Sequence, residues 1–263
     1  GRKIPRFDGE GYILFCEGNF FHKNQLAVTY TCQHGQWDGL LPEYAGAALP
    51  RTIKCLRRGK QLKMALYGDS IAYGCNASSL ADDVQPHLPP WGEMVAEGLR
   101  EHYGAEVEFL NPSVGGKKSD WGAAHAQELV ACHEPDFVMI AFGMNDGSLQ
   151  VPPEEYRENI RSIIHTVREA NPDAEFLLAS TLLPNREAGM SREQSFWGEQ
   201  VNYLPELRRL CAEEKAALAD MTTLHQDLLK KKRFIDMTGN NVNQPNDFLI
   251  RWYAQFVLAM LKD

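Results

Sequence analysis

The sequence lacks a long apolar run, a surplus of basic residues and any nucleotide-binding signature, and each absence excludes a class of protein. No apolar stretch approaches the roughly 18 residues of a membrane span, so we predict no membrane partner. The net charge of −8 disfavours nucleic acid, because phosphate binding needs a basic surface. Neither G-x-G-x-x-G nor a Walker sequence occurs, so we predict no cofactor.

The cysteines also lack any metal-binding pattern. None of the six forms a C-x-x-C pair, and their two Cys/His neighbourhoods have no second pair at zinc spacing, so we predict no metal. Free thiols in a reducing compartment are the favoured state, and one or two disulfides in an exported protein are the alternative. No apolar segment follows a basic start, which predicts no signal peptide and a cytoplasmic location, with removal of an upstream signal as the alternative.

The 263 residues divide into two regions of different character. Residues 1–60 are predicted to form a β-rich N-terminal extension, with short strands at 12–16 and 26–32 and a loop punctuated by Pro42 and Pro50. Residues 61–263 form the predicted main domain, in which strand and helix patterns alternate. The predicted strands are 62–67, 105–110, 136–142, 175–180 and 217–221; the predicted helices are 91–103, 119–132, 152–170, 199–215 and 247–261, the second of them capped by Ser119 or Asp120.

Regular alternation of this kind implies parallel strands with helices on both faces. The predicted fold class is therefore α/β, a three-layer α/β/α sandwich of the flavodoxin-like kind. Ligands of such sheets bind at the carboxyl ends of the strands.

Three of these strand ends carry residues suited to nucleophilic chemistry. Gly68-Asp69-Ser70 follows the first strand, where a serine projects into the crevice, although Asp69 and Ser70 could merely cap the next helix. Paired glycines including Gly116 follow the second strand, and Asn145 follows the third; both residue types also suit ordinary turns. The G-x-S-x-G elbow of the α/β-hydrolases is absent.

Taken together, GDS after strand one, Gly after strand two and G-x-N-D after strand three resemble the ordered blocks of the GDSL or SGNH hydrolase family, over roughly residues 62–260. The resemblance implies that Ser70 is the nucleophile. It also implies an oxyanion hole formed by the backbone N–H groups of Ser70 and Gly116 and the side-chain amide of Asn145, with Gly116 preferred over Gly115.

The last block of that family, Asp-x-x-His, is altered in this chain. The motif places the acid at Asn241 and the histidine at Gln244, while Pro245 and Asn246 still follow the family pattern. An amide has no accessible basic pKa, so Gln244 cannot serve as a general base. Two origins stay open, an introduced replacement and natural divergence, and a backbone carbonyl could orient a histidine where the acid is missing.

Other histidines and aromatic residues are further candidates for roles at the site. His225 and His34 are the candidates for a substitute base, although a structural role is favoured for both; His102, His125, His133 and His165 are assigned to helices or their ends. Tyr73, Trp121 and Trp197 could stack on sugar rings, or equally pack at helix ends.

A β-rich segment before the main domain resembles carbohydrate esterases that remove acetyl groups. The predicted function is thus a carbohydrate acetylesterase, inactive or weakly active because of Gln244, with an acetylated carbohydrate or another small ester as substrate. The alternative is a non-catalytic binding protein that keeps an esterase pocket. The acyl group, the sugar and the oligomeric state stay open.

Overall fold

The computed structural model describes residues 37–81, 84–186 and 196–263, together with residues 2–3, 12–13, 22–23, 26 and 28. Two short strands, β1 (Arg2–Lys3) and β2 (Tyr12–Ile13), pair antiparallel. Leu26 and Val28 belong to no strand, contrary to prediction, because both are exposed and lack the packing that a strand face requires. The rest of the two predicted N-terminal strands, and His34, lie outside the described residues.

The main sheet has five parallel strands in the order β4-β3-β5-β6-β7. The chain starts in the interior at β3, adds β4 on one side, and then crosses to build the other side. A change of winding direction at β3 opens a crevice at its carboxyl end. The strands are β3 (Leu62–Gly68), β4 (Val107–Leu110), β5 (Phe137–Ala141), β6 (Glu175–Ala179) and β7 (Ala217–Ala219).

Helices flank these strands, and the five predicted helices agree with the observed ones to within about three residues at each end. They are α1 (Pro50–Arg57), α2 (Ser70–Tyr73), α3 (Trp91–Tyr103), α4 (Ser119–Leu129), α5 (Met144–Ser148), α6 (Pro153–Ala170), α7 (Gln200–Glu214), α8 (Met221–Leu229) and α9 (Asp247–Leu261), with 3-10 turns at Ser78–Leu80, Ala131–His133 and Phe234–Asp236.

Both faces of the sheet are buried, which confirms the predicted three-layer architecture. Along β3, Met64 and Leu66 contribute to one apolar cluster, while Ala65 and Tyr67 contribute to the other. This alternation follows from the two-residue period of a strand. Helices α1, α3, α8 and α9 contribute buried residues to the first cluster, and α4, α6 and α7 to the second.

The loop predicted around Pro50 is wrong, because α1 begins there. Proline suits the first turn of a helix, where its fixed φ is helical and its missing N–H would have no partner. The carboxylate of Glu175 accepts hydrogen bonds from the N–H groups of Arg51 and Thr52, at 2.9 and 2.7 Å. Ile53 is buried in the main core. The predicted boundary between residues 60 and 61 stays a prediction.

Three further observations bear on the sequence predictions. Cys55, Cys132 and Cys211 are free cysteines. In the described part of the chain, no cluster of three or more His, Cys, Asp or Glu side chains could hold a metal ion. No helix within the described ranges has both the length and the apolar character that crossing a membrane requires.

Candidate active site

The turn that carries Ser70 follows β3 without an intervening loop. An added Cβ at Gly68 would lie 2.2 Å from the carbonyl oxygen of Ala141 in β5, so only glycine fits at the strand end. The side chain of Asp69 caps α2 by accepting a hydrogen bond from the Ile71 N–H at 2.9 Å. Ser70 is the first residue of α2, so its N–H has no acceptor within the helix. The serine hydroxyl thus lies at the crevice beside a backbone donor.

Two buried carboxyl groups lie beneath this turn. Burial raises the pKa of Asp69 to about 7, while the backbone N–H groups of Ile71, Met144 and Ala72 oppose the shift. Burial likewise raises the pKa of Asp146, opposed by its hydrogen bonds from Ser119. The nearby charge of Asp146 adds to the upward shift in the pKa of Asp69.

The second strand-end loop packs directly against the turn that carries Ser70. The Val114 N–H donates to the Gly68 carbonyl at 3.1 Å, and the Asn111 side-chain amide donates to the Ala72 carbonyl at 3.0 Å. A Cβ added at Gly115 would lie 3.6 Å from the Cβ of Ser70. Gly116 is exposed with φ of 77°, and within the described chain its N–H donates to no backbone carbonyl. Its N–H is therefore available to a ligand.

After the third strand, β5, the chain forms the short helix α5, which is hydrogen-bonded to the second strand-end loop. The side-chain amide of Asn145 donates to the Lys117 carbonyl at 3.0 Å, and the second N–H of an amide leaves one donor for a ligand. Asp146 accepts hydrogen bonds from both the N–H and the hydroxyl of Ser119. The predicted capping of α4 by Ser119 or Asp120 is thus wrong: the helix begins at Ser119, and Asp146 supplies the acceptor from another loop.

Gln244 contacts Ser70 directly. Its Nε2 donates a hydrogen bond to the Ser70 Oγ at 2.7 Å, and both residues are buried. The Oε1 of Gln244 is buried without a partner in the described chain. A general base would accept the hydroxyl proton of Ser70, whereas this contact runs in the opposite direction and engages a lone pair of Oγ.

The loop around Gln244 is held by backbone-directed asparagines. The Oδ1 of Asn240 accepts hydrogen bonds from three successive N–H groups, those of Val242, Asn243 and Gln244, at 2.9 to 3.0 Å. The Gly239 N–H donates to the Gln244 carbonyl at 2.9 Å. None of these bonds involves the side chain at 244, so the loop backbone is fixed independently of that residue.

The other histidines have structural surroundings. His225 lies within α8, fully buried, and its Nδ1 accepts the Leu183 N–H at 3.1 Å. Burial lowers the pKa of His225 to about 4, so the ring is neutral at pH 7. His125 stacks on Trp121, and His165 contacts Glu214. Within the described chain none of these three is hydrogen-bonded to Ser70 or Gln244.

The three aromatic candidates differ in how open their rings are. Lys117 lies 5.1 Å from the ring centroid of Trp121, and His125 stacks on the same ring at 4.3 Å. The guanidinium of Arg186 lies 4.0 Å from the ring centroid of Trp197. Tyr73 in contrast is 46% exposed, and it lies three residues beyond Ser70 in the same helix. Packing contacts therefore account for both tryptophans, and Tyr73 is the open ring beside the serine.

Sequence reasoning missed the polar residues that hold the site together. Asn185 donates to the Asn241 carbonyl, and Asn240 and Asp146 organise the loops described above. One signal was present: Asn185 follows a predicted strand end, as do Ser70 and Asn145. Its long-range partner in a loop 56 residues away could not be read from local pattern.

A parallel five-stranded sheet with a GDS serine at the end of its first strand is the architecture of the SGNH hydrolase class. The chain belongs to the GDSL-like Lipase/Acylhydrolase family, whose profile matches residues 66–241. The match includes Ser70, Gly116 and Asn145, and it ends before Gln244.

Relatives of known name share part of this region. An arylesterase of Vibrio mimicus is 29% identical over 118 residues, which cover 44% of this chain and 54% of that protein. The thioesterase 1/protease 1/lysophospholipase L1 of Escherichia coli K12 is 28% identical over 121 residues, 46% of this chain and 51% of that protein. The chain thus matches about half the length of these curated relatives.

Solved structures share the fold across more of the chain. A two-domain esterase active on acetylated mannans superposes with a TM-score of 0.65 at 21% identity, covering 85% of this chain and 54% of that one. An acetylxylan esterase from Geobacillus stearothermophilus superposes with a TM-score of 0.59 at 18% identity, covering 76% of this chain and 94% of that one. At these identities the likeness establishes the fold.

Proposed function

We propose that this chain is a serine-type carboxylic ester hydrolase whose base position has been exchanged for Gln244, leaving it inactive or weakly active. The observation that carries the proposal is the 2.7 Å hydrogen bond between Gln244 Nε2 and Ser70 Oγ. It joins the residue at the family's histidine position to the residue at the family's serine position, 174 residues apart in sequence.

In the proposed mechanism Ser70 attacks an ester carbonyl, and the developing oxyanion accepts hydrogen bonds from three donors. These are the N–H groups of Ser70 and Gly116 and the free amide N–H of Asn145. Each donor of this kind is typically worth about 3 kcal/mol in the transition state. The bonds from Val114 to Gly68 and from Asn145 to Lys117 support this assignment, because they hold the three loops in one crevice.

The missing step is proton removal from Ser70. Gln244 cannot accept that proton, and its N–H instead donates to Oγ, which lowers the nucleophilicity of the hydroxyl. Loss of the histidine from a serine triad costs roughly 10⁴ to 10⁶ in rate. The chain should therefore bind esters better than it hydrolyses them.

For the substrate we propose an acetylated carbohydrate. Structures of similar fold include an esterase active on acetylated mannans and an acetylxylan esterase. The half-exposed ring of Tyr73, next to the nucleophile turn, offers an apolar face of the kind on which a sugar ring stacks.

A second candidate is a non-catalytic protein that binds acylated carbohydrates. The same Gln244–Ser70 contact favours it, because a hydroxyl oxygen that already accepts a hydrogen bond from an amide is poorly prepared for attack. The two candidate functions predict different results when a histidine replaces Gln244: a disabled esterase gains ester hydrolysis, and a binding protein does not.

The test is the Gln244→His variant, assayed on an aryl acetate. A disabled esterase should gain kcat/KM by roughly 10³-fold or more, and Ser70→Ala in the same background should abolish the gain. No gain from Gln244→His in a folded protein, with Ser70→Ala also silent, contradicts the esterase proposal and leaves the binding protein.

A further inference from the structure

The loop that carries Gln244 has a contact from outside itself, made by Asn185. The side-chain Nδ2 of Asn185 donates to the Asn241 carbonyl at 3.0 Å, and its backbone N–H donates to the Val242 carbonyl at 2.8 Å. Asn185 thus holds two consecutive carbonyls at the turn that leads to Gln244. The Asn240 bonds, by comparison, stay within the loop and cannot fix its place relative to the sheet.

Asn185 itself lies at the end of an anchored segment that continues β6. The Thr222 hydroxyl donates to the Thr181 carbonyl at 2.7 Å, and the Leu183 N–H donates to Nδ1 of His225 at 3.1 Å. Both hydrogen bonds join the segment to buried residues of α8. The backbone is therefore fixed up to two residues before Asn185. A side chain on such an anchored segment can hold the loop at a fixed place relative to the sheet.

Asn241 is the point at which the loop needs this support. Its φ is 56°, a left-handed conformation that costs a non-glycine residue about 1 kcal/mol. Asparagine tolerates that conformation better than most residues, and the contact with Asn185 holds it there. A relaxed Asn241 would displace residues 242–244 and with them the side chain at 244.

We propose that Asn185 is a positioning residue: by holding the Asn241 and Val242 carbonyls to the segment that follows β6, it sets the distance between the side chain at position 244 and Ser70. It touches neither the serine nor a substrate in this role. Its effect on ester hydrolysis rests on the proposed function, while its effect on the Gln244–Ser70 contact does not.

The test of the kinetic effect uses two substitutions in the Gln244→His background. Asn185→Ala removes the side-chain donor, and Asn185→Asp keeps the shape but replaces the donor with an acceptor facing a carbonyl. Both leave the backbone bond to Val242 in place. Each should lower kcat on an aryl acetate by about 10- to 100-fold, with KM within about twofold, because the oxyanion donors and crevice are unchanged while the base is misplaced.

Asn171→Ala is the matched control. The Asn171 side chain also donates to a loop carbonyl at 3.0 Å, that of Pro135, but at the opposite end of the sheet. Asn171→Ala should leave kcat within about twofold. An equal loss of kcat in both asparagine variants would mean general destabilisation and would overturn the positioning role.

An activity-independent measurement completes the test. In the unsubstituted chain, the side-chain amide protons of Gln244, assigned by NMR against Gln244→Ala, should exchange slowly, and Asn185→Ala should speed their exchange at least tenfold while Asn171→Ala does not. Unchanged exchange in Asn185→Ala overturns the proposal. A Gln244→His variant without activity would contradict the proposed function, and the exchange result would then decide this proposal alone.

Discussion

The proposed nucleophile turn, residues 68–74, and the proposed base-position loop, residues 239–246, meet at Ser70 and Gln244 but are built differently. The conformation of the turn is set by close packing, because Gly68 admits no side chain and Asp69 is buried beneath the serine. The second is fixed by amide hydrogen bonds from Asn240 and Asn185 to its backbone. The difference explains how position 244 can carry glutamine without loss of the loop, since its side chain contributes nothing to the loop's shape.

The largest expected effect is a steric test of this contrast. Gly68→Ala would place a Cβ 2.2 Å from the Ala141 carbonyl oxygen, which the sheet holds in place. Gly239→Ala would place one 2.7 Å from the end of the Asn76 side chain, which can rotate away. We expect Gly68→Ala to lower the free energy of unfolding by about 3 kcal/mol and Gly239→Ala by about 1 kcal/mol, measured by urea denaturation. Equal losses in the free energy of unfolding would show that close packing sets the conformation of both loops.

An intermediate effect is the pH dependence contributed by Asp69. Its folded-state pKa of about 7 lies above the unfolded value of 3.8, so between roughly pH 4 and pH 7 the folded state holds the proton that the unfolded state has released. Stability should therefore fall as pH rises through that window, by at most about 1.4 kcal/mol per pH unit, and stay level above it.

Asp69→Asn is the matched variant for this prediction, because it keeps an acceptor for the Ile71 N–H without the charge. Urea denaturation at pH 5, 6 and 8 should show the unsubstituted chain losing stability relative to Asp69→Asn as pH rises. A difference that does not change with pH would contradict burial as the controlling influence on Asp69.

The local sequence pattern predicts most of the helices and strands of the main domain, but fewer of the contacts that build the candidate site. The helices at 91–103 and 247–261 have the predicted bounds, because apolar period and end signals coincide there. Ser70, Gly116 and Asn145 are predicted to lie together because strand ends in a parallel sheet share one edge, whereas Gln244 is assigned from the resemblance of its loop to the family's last block. The structure joins Gln244 to Ser70 by a hydrogen bond, and the catalytic roles of these residues stay predictions. The contacts of Asn185 with Asn241 and of Asp146 with Ser119 join loops that are far apart in the sequence, so no local periodicity predicts them. Local pattern does not predict α1, because a proline such as Pro50 suits a loop as well as the first turn of a helix.

The smallest expected effect concerns Tyr73, the open ring on the nucleophile turn. In the Gln244→His background, Tyr73→Ala should raise KM for an acetylated xylo-oligosaccharide about 2- to 10-fold, the loss expected for one stacking contact. Kinetics on methyl acetate should not change, because that ester carries no ring that could stack on Tyr73. Tyr73→Trp should preserve the oligosaccharide KM.

Tyr44→Ala supplies the control, since Tyr44 is 45% exposed, close to the 46% of Tyr73, but lies beside Arg57 in a segment bonded to the far end of α9. Substitution there removes a similar exposed ring without approaching Ser70. A rise in KM for Tyr73→Ala alone locates sugar contact at the nucleophile turn. Equal KM values for both variants would remove Tyr73 from the substrate site and leave the base-position side of the crevice as the place to seek sugar recognition.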